Sequence, residues 1–120
     1  MLTVMIADDS TFQRQTLCRY LQKEGFKLIE AKDGDKCLQL IRAQDVDAVV
    51  LDLNMPDVTG KDVLSIMHKE DIKIPVIVVT ADIQHTTREK CLELGAWSVL
   101  NKPPDPNELI QKIYQATGIK

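Results

Sequence analysis

Short apolar runs alternate with segments of helical periodicity along the whole chain. The apolar runs predict five strands, at Leu2–Ala7, Phe26–Ala31, Asp47–Asp52, Pro75–Thr80 and Ala96–Asn101. The other segments predict five helices, at Phe12–Lys23, Asp35–Ala43, Thr59 or Gly60 to Lys69, Gln84–Leu94 and Asn107–Thr117. Strands and helices that alternate across connections of a few residues predict an α/β fold. We therefore expect a three-layer sandwich, with a five-stranded parallel sheet and five helices on both faces.

The third apolar run ends in the residue that stands out most. Four apolar residues, Ala48 to Leu51, lead directly into Asp52, and the turn-forming residues Asn54, Pro56 and Gly60 follow. A short apolar run that ends in turn residues is typical of a strand buried on both faces of a parallel sheet. Ligands of such sheets bind beyond the carboxyl ends of the strands. Asp52 is therefore predicted where function is common, although a solvated loop aspartate would have the same pattern.

The composition indicates one soluble domain that spans residues 1–120. Apolar residues make up 44% and charged residues 28%, as in ordinary globular proteins. The net charge of −3 argues against nucleic acid as a partner, and no apolar run approaches the roughly 20 residues of a membrane span. Cys18, Cys37 and Cys91 are odd in number and widely spaced, which favours reduced thiols in a cytoplasmic protein, with Cys91 in the core. His68 and His85 have no second ligand at metal spacing and are predicted at the surface.

Polar side chains follow four of the five predicted strands. They are Asp8 and Asp9 after the first strand, Asp52 at the end of the third, Thr80 at the end of the fourth and Lys102 after the fifth. Because parallel strands end at one edge of a sheet, we expect three carboxylates, a hydroxyl and an ammonium group to converge there. Each residue alone has an ordinary explanation, as a helix cap, a strand-end hydroxyl or a loop lysine. Their joint occurrence at one edge favours a functional site.

The predicted cluster has a consistent chemistry. Three carboxylates close together repel one another and resist ionisation, and a hard divalent cation such as Mg²⁺ removes that conflict. An aspartate beside bound Mg²⁺ can attack phosphorus and form an aspartyl phosphate. The metal and the Lys102 ammonium group would neutralise the phosphoryl oxygens, and the Thr80 hydroxyl would hydrogen-bond one of them. The pattern therefore predicts phosphoryl transfer to one of these aspartates.

Five short motifs resemble the receiver domain of the response-regulator family, in matching order across essentially the full chain. The motifs are Asp8-Asp9-Ser10, Asp52-Leu53-Asn54-Met55-Pro56-Asp57 with Gly60, Val79-Thr80-Ala81, Gly95-Ala96 and Lys102-Pro103. The resemblance implies a CheY-like (flavodoxin-like) fold in which Asp52 takes a phosphoryl group from a phosphohistidine on a sensor histidine kinase. It also implies that Asp9, Asp52 and the backbone carbonyl of Asn54 bind Mg²⁺. Asp8 would act largely through a bound water.

The resemblance also implies how the site is used. Thr80 and Lys102 would grip the phosphoryl oxygens, and the Lys102–Pro103 peptide bond is expected to be cis. Phosphorylation would switch the binding of an output protein to a face built from residues 84–117. Catalysis would be limited to promoting the domain's own phosphorylation and the slow hydrolysis of the acyl phosphate. We therefore expect a signalling domain rather than an enzyme.

One position departs from the family pattern. Many receivers have Tyr or Phe three residues before the lysine, where this chain has Val99. Val99 cannot make the inward aromatic swing that accompanies engagement of Thr80. Either the switch runs through Thr80 and the loop 80–84 alone, or Trp97 partly substitutes for the missing aromatic residue. We favour the first interpretation.

Three alternatives differ from a stand-alone receiver. A haloacid-dehalogenase-type phosphatase has its acidic pair last and a catalytic Asp two residues after the nucleophile. Here the pair comes first and that position is Asn54, which cannot act as a general acid. A flavodoxin-like FMN site would cradle a phosphate in the first loop, where Asp8 and Asp9 repel it.

The third alternative is the N-terminal receiver of a larger DNA-binding or enzymatic regulator. We favour a single-domain receiver that is a monomer or a phosphorylation-dependent dimer. A role in chemotaxis is suggested by analogy.

Overall fold

The computed structural model describes residues 1–119 and has five strands and five helices in alternation. The strands are β1 Thr3–Ala7, β2 Lys27–Ala31, β3 Ala48–Asp52, β4 Val76–Thr80 and β5 Ser98–Asn101. The helices are α1 Thr11–Lys23, α2 Gly34–Ala43, α3 Gly60–Lys69, α4 His85–Glu93 and α5 Pro106–Thr117. Every predicted element is present, with boundaries within two residues of those predicted. The predicted domain 1–120 includes Lys120, which lies outside the described residues.

The strands form one parallel sheet in the order β2-β1-β3-β4-β5. The central strand is β3, with Leu51 opposite Ala7 of β1 and Asp52 opposite Val79 of β4. The residues that follow Ala7 and Val79 therefore reach the same edge of the sheet as Asp52. This sheet, with helices on both faces, confirms the predicted fold class.

Two apolar cores cover the two faces of the sheet. Successive side chains of a strand point to opposite faces of the sheet. Strands β3 and β4 are buried along their whole length, so each contributes side chains to both cores. One core contains Val49 and Leu51 and is covered by α2, α3 and α4. The other contains Val50 and is covered by α1 and α5. Cys91 is buried in the first core, as predicted.

Capping explains where two of the helices begin. The Ser10 hydroxyl accepts a hydrogen bond from the Gln13 amide at 3.2 Å, so α1 begins at Thr11, one residue before the predicted start. Helix α5 begins at Pro106 rather than Asn107, because the fixed φ of proline suits the first position of a helix. Among the described residues, no helix combines the length and apolar character needed to cross a membrane.

Candidate functional site

The carboxyl edge of the sheet carries the predicted cluster of polar residues. Asp8 follows β1 and is 1% exposed, Asp9 is exposed, and Asp52 ends β3 and is 5% exposed. Carboxylate oxygens of these three residues all lie within 4.8 Å of one another. Thr80 ends β4 and is buried, and Lys102 follows β5. The five residues therefore converge at one edge, beside a cleft of about 690 Å³.

The Lys102 ammonium group bridges the two buried carboxylates. Its Nζ lies 3.2 Å from Asp8 Oδ2 and 3.2 Å from Asp52 Oδ1. It also donates a hydrogen bond to Oε1 of Gln13, in the first turn of α1. Lys102 thus donates hydrogen bonds to Asp8 and Gln13 and forms an ion pair with Asp52. The Lys102–Pro103 peptide bond is cis, as predicted.

The loop after β3 brings Asn54 and Gly60 against Asp52. The Asn54 amide donates to Asp52 Oδ1 at 3.3 Å, and the Gly60 amide donates to the Leu53 carbonyl at 3.0 Å. A Cβ atom on Gly60 would lie 2.5 Å from the carbonyl oxygen of Asp52. Glycine therefore permits the close approach of α3 to the end of β3, which holds the Asn54 backbone beside Asp52.

The surroundings of Asp52 oppose its negative charge. Burial raises the pKa of Asp52 above its ordinary value, and repulsion from the Asp8 carboxylate raises it further. The Lys102 ammonium group and the Asn54 amide lower the pKa and offset part of this effect. A cation added to the cluster would therefore favour the ionised form of Asp52.

The donor set fits a hard divalent cation. Three carboxylates lie within 4.8 Å of one another, and the two buried ones share a single ammonium group. Mg²⁺ prefers oxygen ligands of this kind and retains several waters when bound. The residues that would hold it are Asp8, Asp9, Asp52 and, through its backbone, Asn54. His68 and His85 are exposed, as predicted.

Thr80 and the turn after β4 form another wall of the cleft. The Asp82 amide donates to Thr80 Oγ1 at 3.0 Å, which occupies an acceptor position and leaves the hydroxyl proton for another acceptor. The Asp82 carboxylate accepts hydrogen bonds from the Thr87 hydroxyl at 2.7 Å and from the Gln84 amide at 2.9 Å. Two hydrogen bonds therefore connect Thr80 to α4.

Sequence reasoning missed Gln13, Lys61 and Thr87, which also line the cleft. Gln13 and Lys61 lie in the first turns of α1 and α3, and both helices follow strands that end at the site. The first turn of such a helix lies over the same edge of the sheet, so the sequence does carry this positional signal. Thr87 lies in the first turn of α4, which follows β4, so the same signal applies to it. Its contact with Asp82 has no such signal, because that contact depends on the conformation of the loop before α4.

Val99 and Trp97 lie away from the cleft. Val99 is buried within β5, whereas Trp97 precedes that strand and is 42% exposed. Trp97 is four residues before Asn101, the pairing partner of Thr80. At about 3.3 Å per residue, Trp97 lies roughly 13 Å along the strand from the site. Trp97 is therefore too distant to replace an aromatic residue beside Thr80.

Comparison with known proteins identifies the family. Residues 4–114 match the family model of the response regulator receiver domain. The chain therefore belongs to the receiver domain family of response regulators, which are signalling components of two-component systems, as its motifs predict.

Two relatives of known function are longer than this chain. A cyclic di-GMP phosphodiesterase from Thermotoga maritima is 32% identical over 115 residues, which cover 96% of this chain and 31% of that protein. The response regulator SaeR from Staphylococcus aureus is 33% identical over 113 residues, which cover 94% of this chain and 49% of that protein. The chain thus spans about a third to a half of the length of these relatives.

Solved structures share the fold over nearly the whole chain. A Francisella response regulator receiver domain has a TM-score of 0.94 at 29% identity, with 98% of each chain covered. The chemotaxis protein CheY4 from Vibrio cholerae has a TM-score of 0.88 at 26% identity, with 97% of this chain and 98% of that chain covered. These similarities confirm the CheY-like architecture.

Proposed function

We propose that this domain accepts a phosphoryl group on Asp52 from a phosphohistidine of a sensor histidine kinase. The observation that carries the proposal is the position of Asp52. This carboxylate lines the cleft, lies 3.2 Å from Lys102 Nζ and is within 4.8 Å of two further carboxylates. Asp8 is equally buried, but its two oxygens already accept hydrogen bonds from the Ser10 amide and from Lys102.

In the proposed reaction, an oxygen of Asp52 attacks phosphorus while the bond from phosphorus to the imidazole nitrogen breaks. The imidazole keeps the electron pair, and an acyl phosphate forms. Lys102 turns from the two carboxylates to the phosphoryl oxygens, and the Thr80 hydroxyl donates a hydrogen bond to one of them. Asp8, Asp9 and Asp52 would hold Mg²⁺, which would supply further neutralisation of the phosphoryl charge.

The consequence of phosphorylation is a change in partner binding. We infer that an output protein binds the face formed by residues 84–117 and distinguishes the two states of the domain. Function as a cytoplasmic single-domain protein in a chemotaxis-like system is consistent with the similarity to CheY4. Dimerisation on phosphorylation is a further hypothesis, which sedimentation of the two states would test.

A second candidate is the receiver module of a larger regulator. The observation that favours it is the length of the relatives, of which this chain covers 31% and 49%. The chemistry at Asp52 would be the same, and the output would be an attached DNA-binding or enzymatic domain. The length of the native gene distinguishes the two candidates.

The test of phosphorylation is the intact mass of the domain after incubation with acetyl phosphate, with Mg²⁺ or with a chelator. We expect the wild type to gain one phosphoryl group only in the presence of Mg²⁺. Asp52→Asn should gain none. Asp57→Asn is the matched control, because Asp57 is exposed in the same loop and should not affect the gain.

An adduct that forms equally on D52N, or equally in chelator, would contradict the proposal. If the wild type gains no phosphoryl group from acetyl phosphate, the same assay is repeated with a phosphorylated histidine kinase as donor. Failure with both donors would also overturn the proposal.

A further inference from the structure

We propose that the Asp82 carboxylate and the Thr87 hydroxyl form a latch that holds α4 against the phosphorylation site and opens when a phosphoryl group enters the cleft. This inference rests on the proposed phosphorylation of Asp52 and names the route by which it would reach the output face. Thr87 acts through Asp82 and is a positioning residue.

Asp82 takes part in three hydrogen bonds, one of which is the latch with Thr87. Its amide donates to Thr80 Oγ1 at 3.0 Å, and its carboxylate accepts from the Thr87 hydroxyl at 2.7 Å and the Gln84 amide at 2.9 Å. Thr87 is 6% exposed although it lies on a helix that is otherwise mostly exposed. Asp82 therefore joins the end of β4 to the first turn of α4.

Helix α4 has few other attachments. Of its nine residues, Thr87 and Cys91 are the buried ones. Within the described chain, the side chain of Gln84 makes no capping hydrogen bond at the start of α4, and the Asp82 carboxylate binds the backbone amide of Gln84 just before the helix. A helix with little buried apolar surface and an uncapped start belongs to the less stable part of a fold. Loss of the Asp82–Thr87 contact should therefore loosen α4.

A phosphoryl group on Asp52 would act on the latch in two ways. It attracts the Thr80 hydroxyl, and because Thr80 Oγ1 accepts the hydrogen bond of the Asp82 amide, movement of this hydroxyl would displace the turn that carries Asp82. It also adds negative charge to the cleft that Asp82 lines together with Asp52. Hydrogen bonds from Thr87 and Gln84 hold the pKa of Asp82 below its ordinary value, so Asp82 is charged at neutral pH and is repelled.

A second contact limits where α4 can move. Arg88 Nη1 donates to the carbonyl oxygen of Val99 in β5 at 2.8 Å. This bond is made to the backbone and does not involve the cleft, so phosphorylation does not break it. When the latch opens, the start of α4 is freed while Arg88 still ties the helix to β5. Opening of the latch would thus change the surface between α4 and β5. This change does not require an aromatic residue at position 99.

The first test compares Thr87→Val with Thr86→Val by hydrogen exchange, without any phosphodonor. Valine has nearly the shape of threonine but lacks the hydroxyl, and Thr86 is the exposed neighbour on the same helix. We expect amides 88–94 to exchange about fivefold faster in T87V than in the wild type, and at the wild-type rate in T86V. Equal rates in T87V and the wild type would overturn the latch.

The second test adds the phosphoryl group, with intact mass recorded on the same samples. Phosphorylation should accelerate exchange of amides 88–94 in the wild type. In T87V, where these amides already exchange faster, it should cause little further acceleration. In Asp82→Asn the amide oxygen can still accept from the Gln84 amide and the NH2 group can donate to the Thr87 hydroxyl, but the charge is lost, so α4 should stay protected when the adduct forms. If phosphorylation accelerates exchange of amides 88–94 in D82N as much as in the wild type, charge repulsion does not open the latch.

The two proposals fail in different ways. Absence of any adduct on the wild type would refute phosphorylation of Asp52 and leave the first comparison valid. A wild-type adduct with unchanged exchange in α4 would refute the latch and leave Asp52 as the acceptor.

Discussion

At the residue scale, the negative charge on Asp52 is opposed mainly by its burial. Burial and the Asp8 carboxylate raise the pKa of Asp52, and Lys102, which is shared with Asp8, compensates only in part. An acid with a higher pKa in the folded than in the unfolded protein makes the fold less stable as the pH rises through that range. The ionised Asp52 thus lowers the stability of the domain, at the position where we propose that a phosphoryl group is accepted.

Replacing Asp52 with Asn should stabilise the metal-free domain at neutral pH, by on the order of 1 kcal/mol in the free energy of unfolding. The gain should be complete above the raised pKa of folded Asp52 and shrink as the pH falls through it. It should vanish below the ordinary aspartate pKa, about 3.9, where both states are protonated. Urea unfolding of the wild type and D52N at a series of pH values, in chelator, measures the difference.

The control for this experiment is D57N, which removes an exposed charge from the same loop. Asp57 has a φ of 63°, and asparagine tolerates this left-handed conformation. The free energy of unfolding of D57N should therefore not show the pH-dependent gain expected for D52N. A D52N protein less stable than the wild type at every pH would contradict the account.

Which site residues could be predicted depends on how each one is positioned. Asp8, Asp52 and Thr80 are at or next to strand ends, so the parallel arrangement alone brings them together. The contact between Thr87 and Asp82 depends on side-chain geometry in a turn. Periodicity contains no information about such a contact, and it became visible only in the structure.

At the scale of elements, α3 is positioned by its first residue. A Cβ on Gly60 would lie 2.5 Å from the Asp52 carbonyl oxygen and 2.6 Å from the Leu53 Cα. Both are backbone atoms that cannot rotate away, so any larger residue must push α3 from the end of β3. The geometry of the loop that carries Asn54 depends on this contact.

Gly60→Ala should therefore destabilise the domain by about 1–3 kcal/mol, as overpacking commonly does, and slow the uptake of a phosphoryl group from acetyl phosphate. Urea unfolding and the rate of mass gain measure the two effects. Lys69→Ala, at the exposed far end of α3, is the control and should change neither. Wild-type stability and rate in G60A would show that the close approach is not required.

At the scale of the whole molecule, the site lies where the two cores meet at one edge of the sheet. Alternation of strands and helices predicts the parallel sheet and its three layers, because crossover connections between parallel strands require helices. Alternation alone does not predict the strand order, since any order has the same pattern. The observed order makes β1 and β3 neighbours and so brings Asp8 beside Asp52.

The measurement that tests the central claim most directly is the location of the phosphoryl group in the wild type. Borohydride reduction converts an aspartyl phosphate to homoserine, and peptide mass spectrometry then identifies the modified residue. The account predicts homoserine at position 52, with Asp8 and Asp9 unmodified. Homoserine at Asp9, or a phosphoryl group on a residue outside the cleft while Asp52 is unmodified, would contradict it.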